Sequence, residues 1–185
     1  MSTKDNAEET LPVPQDDGAC DHLRGGALPS VALPGVSGTT VDLSAQTGTI
    51  VAYFYPRIGN PTQPAAPGWA DIPGAKGCTP EACGFRDHLT EMHALGARVF
   101  GISAQSLEEQ KEATDRLGLG FELLSDSDLQ LAQALRLPTF EFQGRTLIKR
   151  LTLVVEKGRI TKVFYPVFPP ADHAAEVCAW LEGNR

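Results

Sequence analysis

An α/β sandwich built on a mixed sheet is the fold class this sequence predicts, on three observations. Beyond residue 27, stretches with strand and helix patterning alternate along the chain. Residues 49–55 (TIVAYFY) carry no charge and are mostly β-branched or aromatic, as in a strand buried on both faces. Residues 147–155 and 159–165 flank Lys157-Gly158 and read as an antiparallel hairpin near the C-terminus.

Residues 1–27 have few apolar positions, no periodicity and several glycines and aspartates; they are expected to form a mobile tail ahead of one domain, residues 28–185. Residues 28–33 and 40–43 suit short strands around a glycine-rich turn at 35–38, and Pro56 ends the buried strand. Residues 57–77 are rich in proline and glycine and lack periodicity, which makes them a long loop of the kind that usually carries function. A helix over 79–95, a strand over 98–103 and a helix over 106–117 follow, the last opened by a capping box of Ser106 and Glu109. Residues 121–124 suit a short strand, Asp126 or Ser127 caps a helix running to Leu135, and residues 171–181 suit a closing helix. The order β-β-β-α-β-α-β-α-β-β-α, parallel through its helical crossovers and closed by a hairpin, is the layout of a thioredoxin-like domain. A flavodoxin-like parallel sheet is the main rival, and it would not be expected to end in a hairpin.

The 185 residues carry a formal net charge of -7, with 42% hydrophobic and 21% charged residues, an ordinary composition for a soluble domain. No Lys/Arg run marks a nucleic-acid face. No apolar stretch approaches the roughly 18–20 residues that cross a bilayer, and the acidic N-terminus does not read as a secretory signal. Neither nucleic acid nor membrane is an expected partner, and the expected location is cytoplasmic. Permanent disulfides are rare there, so a bridge among the four cysteines is expected to be transient and catalytic.

The chemistry concentrates in Gly77-Cys78-Thr79-Pro80-Glu81-Ala82-Cys83. Pro80 belongs in a first helical turn, where its missing N–H costs nothing. That sets Cys78 at or just before the helix start, facing free N–H groups and the positive end of the helix dipole. Such a site can pull a cysteine pKa well below about 8.5, and the thiolate is the nucleophile. Cys83 lies five residues on, about 7.5 Å of rise and about 140° of rotation away in an intact helix. A disulfide wants Cα atoms roughly 4.4–6.8 Å apart, so the first turns are expected to unwind before Cys83 attacks an oxidised Cys78. Two other readings stand beside this one. One is core packing, which fits Cys83 but fits Cys78 poorly, since Gly77 and Thr79-Pro80 surround it with backbone. Cys78, Cys83, His88 and His93 have the residue types of a zinc site, but at five-residue spacing they point around a helix and cannot converge, so no metal is expected. The spacing is not that of a thioredoxin pair, which has two residues between its cysteines.

The motif GCTPEACGFRD, after a strand ending FYP and before LTEMHALGARVFGIS, resembles the peroxiredoxins of the bacterioferritin-comigratory-protein (PrxQ) type in the AhpC/TSA superfamily, and KRLTLVVEKGRITKVF resembles their arginine-led strand and hairpin. The resemblance covers residues 28–181. It implies a thioredoxin fold with added N-terminal strands, in a three-layer sandwich about a central mixed sheet. It implies a thiol-dependent peroxidase acting on hydrogen peroxide and organic hydroperoxides without a cofactor. Cys78 takes the peroxidatic role, Cys83 the resolving role, and thioredoxin or a similar dithiol recycles the disulfide. The family arginine falls on Arg150, whose guanidinium would hold the thiolate and polarise the peroxide. Pro56 would shield the sulfur, and Gly77 and Thr79 would help bind substrate, Gly77 and Cys78 offering backbone N–H groups. The sequence departs from the family where proline and threonine usually precede the reactive cysteine by seven and three residues: Asp71 and Ala75 stand there. Thr62 and Thr79 are the candidates to replace the missing hydroxyl. The insertion NPTQPAAPGWADIPGAK, with Trp69, is either a surface loop or the lining of a pocket for a bulkier hydroperoxide. Resolution within one chain requires no dimer, so a monomer or weak homodimer is expected.

Glu81 is a favourable helix-start carboxylate, and Arg86 and Asp87 read as helix-surface charges. Cys178 falls on an apolar stripe and is expected in the core. Cys20 is expected as an exposed thiol in the tail. His22, His88, His93 and His173 are expected at the surface. Two rival functions remain open at this level: a thiol–disulfide oxidoreductase or redox sensor on the same fold, and a non-catalytic binding module.

Overall fold

The computed structural model describes residues 10–185. Its centre is a five-stranded sheet of β3 (Thr49–Phe54), β4 (Ala97–Ser103), β5 (Glu122–Ser125), β8 (Leu151–Glu156) and β9 (Arg159–Phe164) in the order β5-β4-β3-β8-β9. β3 pairs parallel with β4 and β4 with β5, while β8 lies antiparallel to both β3 and β9. The mixed sheet closed by a hairpin is therefore the observed one, and the thioredoxin-like expectation holds. Alternation along β3 splits the core between the two faces. Ile50, Ala52 and Phe54 face α4 (Gln130–Ala134) and the N-terminal segment through Leu23, Leu28 and Leu33. Val51, Tyr53 and Tyr55 face the opposite layer. That layer comprises α1 (Cys78–Asp87), α2 (Leu89–Ala94), α3 (Leu107–Leu117) and α5 (His173–Gly183). No helix among the described residues is long and apolar enough to cross a membrane.

The added N-terminal strands are β1 (Ala32–Pro34) and β2 (Thr40–Asp42), an antiparallel pair. The expected strand over 28–33 shrinks at its start because that stretch bonds the edge of the main sheet instead: Leu28 N–H donates to Gly158 O at 2.8 Å and Gly25 N–H to Ile160 O at 2.8 Å. These bonds correct the expected mobile tail. Residues 1–9 lie outside the described residues, but Cys20 and Leu23 sit in the core at 5% and 3% exposure, so the packed body begins well before residue 28. Cys20 is accordingly buried rather than an exposed thiol, and burial pushes its pKa up to about 12.

Three further differences have local causes. The single helix expected over 79–95 breaks at His88, whose backbone (φ -97°, ψ 6°) leaves helical geometry and separates α1 from α2. The expected strand over 147–155 is two strands, because β7 (Arg145–Ile148) pairs back onto β6 (Thr139–Phe142) in a separate hairpin and the chain bends at Lys149 and Arg150 before β8. α4 starts at Gln130, later than expected, with Leu129 and not Asp126 or Ser127 as its N-cap; Asp126 reaches into the first turn from outside and accepts from Leu131 and Ala132 N–H. His173 is buried, not at the surface: its Nε2 is hydrogen-bonded to Thr152 Oγ1 at 2.8 Å, and burial holds its pKa down near about 4. His22 and His93 are exposed as expected and His88 is half-buried; His22 and His88 are hydrogen-bonded to the carbonyls of Leu135 and Gly84. Cys178 packs in the core as expected.

Candidate active site

Cys78 opens α1 with Gly77 as its N-cap and no side chain capping the helix. The first-turn N–H groups are thus left free of a side-chain cap beside the sulfur. Gly77 is required there twice over. Its φ of +119° is strained for any residue with a side chain, and a Cβ would stand 2.6 Å from Pro170 Cγ. Pro170 begins the 3-10 turn Pro170–Asp172 that packs on α1. Gly77→Ala is expected to destabilise the fold by about 1–3 kcal/mol. Gly59→Ala, where a Cβ meets nothing within 4 Å, is expected to be near neutral. Denaturant midpoints of the two variants check this.

Arg150 reaches the sulfur from the bend between β7 and β8. Its Nη2 donates to Cys78 Sγ at 3.1 Å, and to the carbonyls of Ala75 at 3.1 Å and Gly74 at 3.2 Å. Its Nη1 donates to Glu81 Oε2. The three side chains form one buried unit: Cys78 is 4% exposed, Arg150 3% and Glu81 0%. Glu81 joins it because it lies three residues after Cys78 on the same helix face. The reading of Glu81 as an ordinary helix-start carboxylate missed this, since nothing local announces the burial that the last strands and α5 impose. Tyr53 Oη, Glu81 Oε1 and Arg150 Nε are buried with no hydrogen-bond partner among the described residues.

Burial, the largest influence, pushes the Cys78 thiol up; the Arg150 charge pulls it down, the Glu81 carboxylate pushes it up, and hydrogen bonds from the Arg57 N–H and from Arg150 pull it down. The net direction is upward. This corrects the expectation of a depressed thiol: the helix start and the guanidinium are in place, but the sulfur lies dry among core side chains, beside a second acid. Glu81 is pushed up to about 7 by its own burial against the pull of Arg150. Two acids therefore compete for one cation. Burial opposes the charge on Arg150, but Cys78 and Glu81 outweigh it and hold the guanidinium protonated.

The other expected residues fall as follows. Pro56 is buried just after β3, and Thr79 is half-buried. Thr62 is exposed and bonded to Asn60 Oδ1 at 2.7 Å, so it does not replace the missing hydroxyl. At the threonine position, Ala75 presents its backbone carbonyl, which accepts from Arg150 and, at 3.7 Å, from the Cys78 thiol. Cys83 is half-buried and unbridged in α1. Arg86 is tied down, donating to Leu117 O at 2.7 Å and pairing with Asp87. Trp69 does line a cavity of about 1110 Å³ with Thr79. Its ring packs on Phe142 at 5.0 Å and carries the Arg57 guanidinium at 4.5 Å.

Comparison with known proteins agrees with this geometry. Residues 23–177 match the Redoxin family model. The chain is 31% identical over 163 residues to peroxiredoxin Bcp of Escherichia coli, covering 85% of this chain and 94% of that one. It is 32% identical over 164 residues to the chloroplastic peroxiredoxin Q of Sedum lineare, covering 88% and 79%. Among solved structures, peroxidoxin BcpB of Mycobacterium tuberculosis superposes with a TM-score of 0.70 at 27% identity, covering 89% of this chain and 99% of that one. Sequence and fold together place the chain in the Redoxin family, as a peroxiredoxin of the Bcp/PrxQ type.

Proposed function

We propose that this chain reduces hydroperoxides through Cys78 and closes a Cys78–Cys83 disulfide in each cycle. The observation that carries the reading is the Arg150 guanidinium 3.1 Å from Cys78 Sγ at the start of a helix. The thiolate attacks one peroxide oxygen; an S–O bond forms as the O–O bond breaks, and the second oxygen leaves as water or alcohol after taking up a proton. Arg150 pairs with the sulfur anion and with the charge developing on the leaving oxygen. Pro56 closes the site at the end of β3, while Gly77 and Thr79 offer donors at the helix start. Cys83 then attacks the sulfenic sulfur, water leaves, and the disulfide forms once the first turns of α1 open. Thioredoxin or a similar dithiol takes that disulfide in exchange and restores both thiols. No step needs a second copy of the chain, which suits a monomer or weak homodimer in a reducing compartment such as the cytoplasm. No metal and no cofactor enters these steps.

The unbridged pair Cys78 and Cys83 within one helix also suits a second reading, a thiol–disulfide oxidoreductase or redox sensor without fast peroxide chemistry. Stopped-flow mixing with hydroperoxide separates the two. Rapid oxidation that Cys78→Ser abolishes is the expected result. Slow oxidation accompanied by efficient disulfide exchange would transfer the assignment to the second reading.

A further inference from the structure

The ladder between β3 and β4 ends just short of the reactive centre. Tyr55 N–H still donates to Ile102 O at 3.1 Å, but Pro56 has no N–H to give, and the chain leaves the sheet. Gln105 takes over where the strand stops. Ile58 N–H donates to Gln105 Oε1 at 2.9 Å, and Gln105 Nε2 donates to Ile58 O at 3.2 Å. One side-chain amide thus does for Ile58 what a paired strand would do. Gln105 is itself held: its N–H donates to Ser103 Oγ at 3.2 Å, its carbonyl accepts from Ser125 Oγ at 2.6 Å, and it is 3% exposed. The residue before Ile58 is Arg57, whose backbone N–H donates to Cys78 Sγ. We propose that Gln105 is a positioning residue for the reactive cysteine: by gripping Ile58 it keeps the Arg57 N–H aimed at the sulfur. The proposal rests on the peroxidase reading above and deepens it.

Satisfying a buried peptide would by itself explain a glutamine here. Three observations carry the role further. First, the grip is applied beside the sulfur. Ile58 packs in the same apolar cluster as Cys78, and Arg57, Ile58, Thr79 and Gln105 border one cavity, so the glutamine, the held segment and the start of α1 meet. Second, the same segment is held from outside as well. The Arg57 guanidinium lies 4.5 Å from the Trp69 ring and 5.3 Å from that of Phe142, and Arg116 Nη2 donates to Gly59 O at 2.9 Å. Arg57 therefore sits between an inner hold at Ile58 and an outer hold on its own side chain, and its peptide cannot turn without breaking one of them. Third, a backbone donor matters at this sulfur. Arg150 divides its hydrogen bonds between Cys78 and Glu81, so a second donor counts for more, and a hydrogen bond to the charged form favours that form. Arg150 and Glu81 face Cys78, and Tyr53 and Tyr55 pack in its cluster with burial holding both phenols neutral. All four stay unaltered in the variants below.

The test follows Cys78 in full-length Cys83→Ser chains, where oxidation by one equivalent of hydrogen peroxide is read without resolution. Iodoacetamide labelling of Cys78, measured by peptide mass across pH, gives the midpoint of thiol ionisation. Gln105→Met keeps the length of the side chain and removes both bonds to Ile58. Its midpoint is expected to rise by about one pH unit, the effect of a lost hydrogen bond to a charged group. Its oxidation at neutral pH is expected to slow by about tenfold and to recover above the new midpoint. Trp69→Leu releases the outer hold from a half-buried position outside both apolar clusters, and its midpoint is expected to rise by less. A role confined to folding would lower the denaturant midpoint of Gln105→Met and leave its ionisation midpoint in place; that result overturns the proposal. Should Gln105→Met not fold, an unmoved ionisation midpoint in Trp69→Leu overturns it instead. A chain inert to hydrogen peroxide whose labelling midpoint still rises in Gln105→Met overturns the peroxidase reading and leaves the positioning role standing.

Discussion

Arg150→Ala is expected to lose about 10²–10³-fold in kcat/KM for hydroperoxide, the usual cost of removing one preorganised donor from developing charge. Its pH profile is expected to move to higher pH. Arg150 is what pulls the Cys78 thiol down against burial, so without it the thiolate forms only under more alkaline conditions. Stability should suffer as well. Breaking a buried ion pair by removing one partner costs about 3–5 kcal/mol, and Glu81, fully buried, loses the cation it faces. Here the loss is tempered by Glu81 itself: its pKa is already pushed up to about 7 by burial, so it can escape the penalty by taking up a proton. Arg150→Ala combined with Glu81→Gln is therefore expected to regain stability without regaining activity. Stopped-flow rates across pH, together with denaturant midpoints of the single and double variants, check both parts. Near wild-type kcat/KM in Arg150→Ala would remove the guanidinium from the reaction.

Cys83→Ser is expected to consume one equivalent of hydroperoxide at close to the wild-type rate and then stall, with steady-state turnover on thioredoxin lost. Both cysteines lie within α1. Five helical residues set them about 7.5 Å apart in rise and about 140° apart in rotation, too far and too divergent for a bridge. The sulfur that receives oxygen must therefore persist long enough for the helix to open. In the variant the opening leads nowhere. Intact mass after one equivalent should show an added oxygen on Cys83→Ser and the loss of two hydrogens on wild type. Full thioredoxin-dependent turnover by Cys83→Ser would strip Cys83 of the resolving role.

What the residues announced and what they hid divide along physical lines. The buried strand β3 was legible because a run without charge must be covered on both faces, and α3 because Ser106 and Glu109 cap it reciprocally. Cys78 at a helix start was legible from Pro80 alone. The surroundings of its sulfur were not. That Glu81 shares the Arg150 guanidinium depends on bringing residues 69 positions apart into contact, and no local pattern reports such a closure. The upward push on the thiol was missed for the same reason: the helix start is visible in sequence, whereas the dryness of the site is a property of the assembled core. The N-terminal segment misled because its aspartates and glycines outnumber the few residues that matter, Cys20 and Leu23, which insert into the core. The resemblance set Arg150 just before a strand, yet the strand expected over 147–155 ran through it, because the β6–β7 hairpin, with strands of four residues each and half-exposed, was overlooked.

The break at His88 makes α1 a ten-residue cassette with its own boundary. A continuous helix over 79–95 would carry any loosening at Cys78 toward its neighbours in the core, because each lost hydrogen bond weakens the next. Here the register already ends at His88, and α2 holds its place separately through the buried Met92. Any opening of the segment bearing both sulfurs, as the proposed cycle requires, would therefore have a stop at His88 and need not run on into α2.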